Sequence, residues 1–173
     1  HFITKLIDVH DEFIVNTIHH IKVVAPDGNF SIFTLQRPDF VFHRQRFDSY
    51  LAALAQKEGV HYHLKKKIAG YGNNTISFSD GSSFATDYLV GADGPFSSVA
   101  KSSNLFHDRK FMTGLQARAK GHFDPHQFVV YLGKGYFGWS VPESSQFSRI
   151  GVIASDGRPK PYFDSVLKKE HGD

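Results

Sequence analysis

The chain has 173 residues, 40% of them hydrophobic and 21% charged, with a formal net charge of +3. That is enough apolar material for one large packed domain or two small ones, and it excludes a disordered chain. There is no cysteine, which excludes disulfides, cysteine-ligated iron–sulfur clusters and thiol catalysis within these residues.

The first ten residues carry Lys5 and Asp8 inside an apolar pattern and do not read as a signal peptide. No apolar run approaches the ~20 residues that span a bilayer. The sequence opens in mid-pattern without Met, and the expectation is a fragment. Residues 12–36 read as antiparallel strands around Pro26-Asp27-Gly28-Asn29, a turn whose proline fixes φ and whose glycine permits a positive φ. Residues 39–43 read as a further short extended piece. The period then changes. Phe47, Leu51, Leu54 and Ala55 recur at helical spacing, with Lys57 in the last turn and Gly59 as the stop. "VHYHL" follows as an expected strand. The triplet Lys65-Lys66-Lys67 is the longest basic run and reads as a solvated strand end, so the charge pattern gives no case for nucleic acid.

Residues 74–86 read as a hairpin turning at Ser79-Asp80-Gly81-Ser82, and "DYLVGA" as a short apolar strand covered on both faces. Beyond about Asn104 the character becomes β, with strands expected at 111–121, 127–132, 135–141 and 148–155. A helix is expected to begin within 161–172.

The stretch "YLVGADGPFSSVAK" ends an apolar run on an acid between two glycines. Gly91 and Gly94 allow tight turns and close approach of a backbone or ligand. Asp93 can accept hydrogen bonds from hydroxyls such as those of a ribose, at the sheet edge where ligands of open α/β folds bind. Ser97 and Ser98 can cap a following short helix. The plainer reading is a strand–turn–helix in which Asp93 satisfies local backbone amides.

The string resembles the Asp-Gly motif of the FAD-dependent monooxygenase and reductase superfamily, through Gly91, Ala92, Asp93, Gly94, Ser97 and Val99. Ala100 stands where arginine is commonest, and Lys101 supplies the basic residue one place later. Upstream, "RQRFDSYLAALAQKEGV" resembles the superfamily's arginine motif, with Arg44 as the motif arginine before Phe47-Asp48. The resemblance implies that Arg44 lies near the FAD phosphates, where a guanidinium suits paired oxygens. It implies that Asp93 and Gly94 lie near the ribose and pyrophosphate. A surface position at a helix start is the plainer reading of Arg44.

In "GKGYFGWSVPESSQFSRIGV", a strand over 135–141 puts Phe137, Trp139 and Val141 on one face and Tyr136, Gly138 and Ser140 on the other. The first set would line a flat apolar cavity or fill the core of a β domain. The segment is similar to the signature of the geranylgeranyl reductase branch, matching at Phe137, Trp139 and Pro142. Val141 replaces the usual Phe, and the later glycine pair is reduced to Gly151 with Ile153 in the second place. The resemblance implies that Phe137, Trp139 and Pro142 shape an isoprenoid-binding cavity. Flavin-dependent halogenases carry a related Trp-x-Trp-x-Ile-Pro string, and aromatic monooxygenases share the FAD motifs. The superfamily's opening Gly-x-Gly-x-x-Gly and its late Gly-Asp motif are not in these residues.

The fold class implied is α/β: part of an FAD/NAD(P)-binding three-layer domain plus an antiparallel β-sheet substrate domain. Residues 1–41 would lie at the junction, 42–104 form the second half of the FAD domain, and 105–173 make part of the substrate domain. The resemblance implies FAD, with NAD(P)H or a ferredoxin as electron donor. It also implies a small apolar substrate such as a prenyl lipid, a cytoplasmic enzyme in peripheral contact with a membrane, and no nucleic acid. No proton donor is identified. A self-standing apolar-ligand-binding domain without flavin is the competing reading. No metal is expected: His61 and His63 would share one side of a strand, and His122 and His126 flank Phe-Asp-Pro, but two ligands do not make a zinc site. His10, His19 and His20 read as solvent-facing strand residues.

Overall fold

The computed structural model describes residues 9–171; residues 1–8 of the expected first segment and position 172 of the expected last helix lie outside them. The chain divides into two compact units, residues 1–54 with 111–173, and residues 55–110.

The first unit is built on a six-stranded sheet. Its strands are β1 (Ile14–Val24), β2 (Phe30–Phe42), β6 (Thr113–Lys120), β7 (Gln127–Gly133), β8 (Tyr136–Pro142) and β9 (Phe147–Ala154), in spatial order β2-β1-β7-β8-β9-β6. Neighbours are antiparallel except β1 and β7, which run parallel with Val23 opposite Val130. β1 is rich in β-branched residues that suit a half-buried pleat. It turns into β2 where expected: Ala25 N–H donates to Asn29 O (2.8 Å), Asp27 Oδ1 accepts from the Asn29 amide (3.1 Å), and Gly28 takes φ +89°.

The extended pieces read as separate at 12–36 and 39–43 form one hairpin. β2 continues through an irregularity in which Thr34 pairs with His20 but Asp39 pairs with Ile18. Residues 35–38 bulge out of the ladder there. Pro38 lies in the bulge, where a residue lacking an N–H breaks no pairing. Asn16 ties the far half of β1 across the sheet, its Nδ2 donating to Pro125 O (2.5 Å) and Pro142 O (2.8 Å).

One face of the sheet is covered by α3 (Pro159–His171). Phe163 and Val166 on the helix pack with Val24, Tyr131, Ile150 and Val152, and Val166, Ile150 and Val152 are fully buried. Gly138 is the point of closest approach: a Cβ there would lie 2.8 Å from Val166 Cγ2. A second cluster joins the helix α1 (Arg44–Lys57) to the hairpin. Phe13, in a 3-10 turn at Asp11–Phe13, is fully buried, with ring centroids 5.4, 5.3 and 5.1 Å from Phe42, Phe47 and Tyr50.

The second unit takes in the last residues of α1 from Ala55, and Gly59 follows the helix at φ +89°. It holds the three-stranded sheet β3 (Ile68–Gly72), β4 (Thr75–Phe78) and β5 (Ser83–Ala85), with α2 (Ser98–Ser102) packed against β3. The β4–β5 hairpin and its turn at 79–82 match the expectation; Asp80 accepts from the Ser82 amide (3.0 Å) and pairs with Lys66.

Two expected strands do not form. Residues 60–64 are irregular, which places His61 and His63 off any strand, and Lys65 at φ 60° interrupts the extended run. The strand that does form, β3, carries two glycines that weaken a period-two pattern. Residues 87–92 join no ladder, and Tyr88 and Val90 are 89% and 86% exposed. An apolar run becomes a strand only when a neighbouring strand takes its N–H and C=O groups; here Val60 N–H goes to Ala55 O (3.0 Å) and Tyr88 O to the Thr86 hydroxyl (2.7 Å) instead. Only Ser97 and Val99 are buried in this unit.

Candidate functional site

Residues 91–101 form a tight capping structure. The Asp93 carboxylate accepts from the Ser97 hydroxyl at Oδ1, and from the amides of Ser98 (2.7 Å) and Val99 (3.2 Å) at Oδ2. Ser97 Oγ in turn accepts from the Ala100 amide (2.9 Å), making Ser97 the cap of α2. The Ser97 hydroxyl first, then the Val99 and Ser98 amides, hold the Asp93 carboxyl below the ordinary carboxylate range. Asp93 therefore stays ionised at neutral pH while remaining solvent-exposed. Gly91 lies against α2, since a Cβ there would meet Val99 Cβ and Cγ1 at 3.0 Å. Gly94 has φ +83° and open space where a Cβ would be. Both plain expectations, local amide satisfaction and helix capping, are met by these residues.

Arg44 opens α1. Its Nε donates to Asp48 Oδ1 (2.6 Å), and its side chain is 80% exposed. It is a surface residue at a helix start, as the plainer reading has it, and its terminal amino groups have no described protein partner. Beside it lies an open recess bounded by Glu12, His43, Arg46 and Tyr50.

The first unit offers an extended surface on the sheet face opposite α3. Because Gly138 and Ser140 face the helix, the alternate residues of β8 face away from it. Phe137, Trp139 and Val141 share that open face with Phe128, Val130 and Leu132 of β7 and Ile153 of β9, as the cross-strand pairs require. Phe137 is 39% and Leu132 43% exposed, and the Phe137 and Trp139 rings lie 5.8 Å apart at 33°.

Trp139 sits in a row running Gln116–Gly151–Trp139–Val130 across four strands. A Cβ on Gly151 would lie 2.3 Å from Trp139 Cζ2, so the indole rests on the bare backbone of β9. Its Nε1–H reaches over that strand to Gln116 Oε1 on β6 (3.1 Å). Pro142 is buried and is held through its carbonyl by Asn16.

The same face becomes cationic one row on. Arg118 and Arg149 are direct cross-strand neighbours bridged by Glu143, with contacts of 2.5 and 2.9 Å. Arg118 also lies 3.9 Å from the Phe147 ring centroid, and Arg149 Nη2 donates to Phe42 O (3.0 Å) just ahead of α1.

On the helix-covered face, a polar recess of about 190 Å³ is walled by Tyr131, Ser140 and Glu170. Tyr131 donates to Glu170 Oε1, and Ser140 donates to Oε2 (3.0 Å) while lying 2.8 Å from the buried Ser148 hydroxyl. Burial first, then the bond to Glu170, pushes the Tyr131 phenol far above its ordinary value.

Among the described residues no three His, Asp or Glu side chains gather as a metal site, and no helix is long and apolar enough to cross a membrane. His19 lies on β1 edge-on to His126 at 5.1 Å, His20 faces Thr34 Oγ1 at 3.3 Å, and His10 lies ahead of the strand against Tyr50.

Of the three residues named from the sequence, Phe137 and Trp139 lie together on the face away from α3, whereas Pro142 is buried on the α3 side, because residues 137 and 139 alternate with 138, 140 and 142; Gln116, Arg118 and Arg149 were not named. These three reach the Trp139 face only through the β6–β9–β8 register, which no linear spacing announces.

No family profile matches the sequence, and no curated protein matches it. Solved structures do match. A geranylgeranyl bacteriochlorophyll reductase-like protein from Thermoplasma acidophilum superposes with a TM-score of 0.83 over 97% of this chain at 20% identity. The flavin-dependent brominase Bmp2 gives 0.64 over 88% at 14% identity. Klebsiella pneumoniae HpxO, complexed with FAD and uric acid, gives 0.57 over 82% at 18% identity. The chain spans about half the length of the first of these, 49%, and 42% and 41% of the other two. The fold of this chain is thus one found within a reductase-like structure, a flavin-dependent brominase and an FAD-complexed protein.

Proposed function

We propose that these residues are the central part of an FAD-dependent oxidoreductase that reduces carbon–carbon double bonds of a prenyl lipid. The observation that carries the reading is the aromatic face of the sheet on the side away from α3, where Phe137 is 39% exposed and its ring lies 5.8 Å from that of Trp139. It occurs in a fold that the reductase-like structure shares over 97% of the chain. An exposed apolar surface of this kind calls for an apolar occupant.

Taken singly, each residue named for the flavin has the chemistry the role asks for. Arg44 keeps terminal donors available for phosphate oxygens. Asp93 is an anion with acceptor capacity left for a ribose hydroxyl. Gly94 leaves room for a close backbone approach. When bound, FAD would supply the hydride; the protein's part is to place it, hold the substrate and exclude water. NAD(P)H or a ferredoxin would renew the reduced cofactor. Phe137 and Trp139 would line the apolar surface, while Pro142, fully buried on the α3 side with Ser140, would only hold the end of β8 in place; peripheral contact with a membrane would deliver the lipid.

The test is prenyl reduction by the full-length enzyme with and without Trp139→Ala. A loss of at least tenfold in kcat/KM is expected, the scale of a deleted large aromatic contact of about 1.4 kcal/mol or more. An unchanged value ends the substrate half of the proposal. Reading the coding DNA on either side tests the other half. An upstream strand with Gly-x-Gly-x-x-Gly and a downstream Gly-Asp motif are expected. A start just before His1 and a stop after Asp173 would instead favour the flavin-free binding domain.

A further inference from the structure

We infer that Gln116 is the positioning residue of the aromatic site: it fixes the Trp139 indole across β9, so that the indole offers its ring face and not its N–H. The substrate contact at Trp139 is then purely apolar and suits a hydrocarbon segment rather than a hydroxylated ring. The inference deepens the prenyl-lipid reading and rests on it for the ligand, but the geometry stands by itself.

Three observations converge. Gly151 supplies a side-chain-free floor, since a Cβ there would collide with the six-membered ring of the indole at 2.3 Å. Gln116, Gly151 and Trp139 lie in one cross-strand row, so the indole spans from β8 over β9 to β6. Two strand spacings are about 10 Å, a span covered by the Trp and Gln side chains together. At the far end Gln116 Oε1 takes the only polar group the indole has. An indole bonded in this way cannot donate to a ligand hydroxyl. It also cannot stand up from the sheet without breaking that bond. Gln116 is exposed and contributes nothing to the core cluster, so its role is local.

Trp139 is the only tryptophan of the chain, so its fluorescence reports on this site alone. The first arm uses the 173-residue chain without ligand. Gln116→Leu removes the acceptor and should shift the emission to longer wavelength and increase acrylamide quenching, with the thermal midpoint unchanged. Gln116→Glu keeps an oxygen acceptor and should restore both signals. Gly151→Ala should shift the emission as Gln116→Leu does. Emission and quenching in Gln116→Leu identical to the parent chain would overturn the positioning role.

The second arm titrates geranylgeraniol and 2-naphthol and follows Trp139 quenching. The parent chain should favour the isoprenoid. Gln116→Leu should move the ratio of the two Kd values about threefold to tenfold toward the phenol, the scale of one recovered hydrogen bond. An unmoved ratio would overturn the selectivity claim. Failure of the parent chain to bind geranylgeraniol, with the first arm as expected, would sink the prenyl-ligand reading and leave Gln116 as the residue that orients Trp139.

Discussion

Asp93 shows how much local structure one side chain can set. Its two oxygens collect three donors within six residues of sequence, which sets the turn into α2. The carboxylate is favoured by those donors, so its folded pKa lies below the ordinary 3.8. For a depressed carboxyl, the linked stability is present above the unfolded value and is lost as pH falls through the folded one. The amide resonances of Ser98 and Val99 should therefore titrate together, with a midpoint below that of a peptide aspartate. Asp93→Asn should abolish that titration. A midpoint at or above about 4 would show that the capping bonds do not form in solution. The turn and cap built on Asp93 and Gly94 and the helix-start position of Arg44 were legible in the sequence because their chemistry is local. Gln116 was not, because an exposed glutamine acquires meaning only when a strand two places away brings an indole to it.

Elements behave differently. The helices over 44–57 and 159–171 and the β4–β5 hairpin announce themselves, since their periodicity and turn residues are contained in a short window. The runs at 60–64 and 87–92 mislead for a common reason: apolar residues alone do not supply the backbone partners that make a strand. The α3–sheet contact yields two tests. Gly138→Ala must push Val166 aside and should cost about 1–3 kcal/mol in urea unfolding. Adding Val166→Ala should cost less than the sum of the two single changes, because the smaller side chain vacates the space the new methyl needs. Strict additivity would mean that the helix does not approach β8 this closely.

Tyr131 gives the second test. Its phenol is neutral and bonded in the folded state, with a pKa raised above the ordinary 10.0. A raised pKa contributes stability below the unfolded value that is lost as pH rises above it. Stability should fall above about pH 10, and Tyr131→Phe should flatten that decline. The same substitution should cost about 1–3 kcal/mol at neutral pH by leaving Glu170 with one donor fewer.

At the scale of the molecule, the two units differ in how well they bury their apolar residues. The first has a core of fully buried Ile150, Val152 and Val166. The second leaves Leu64, Tyr88, Val90, Phe96 and Leu105 between 63% and 89% exposed. Surfaces of this kind associate. The isolated chain should self-associate with rising concentration in sedimentation experiments, and Tyr88→Ser with Val90→Ser should reduce it. A monomer at all concentrations, unmoved by the double change, would mean that this surface is tolerated in water.

The parallel pairing of β1 with β7 carries a temporal consequence. Val23 and Val130 are neighbours in the sheet, yet the whole 55–110 unit is made between them. On a ribosome the β1–β2 hairpin emerges well before β7, and the β1 edge must wait for it until about 100 more residues have left the exit tunnel. At about 5–20 residues per second that wait is several seconds to about 20 seconds. An open strand edge held that long is the stage at which this chain is most exposed to mispairing and most in need of a chaperone.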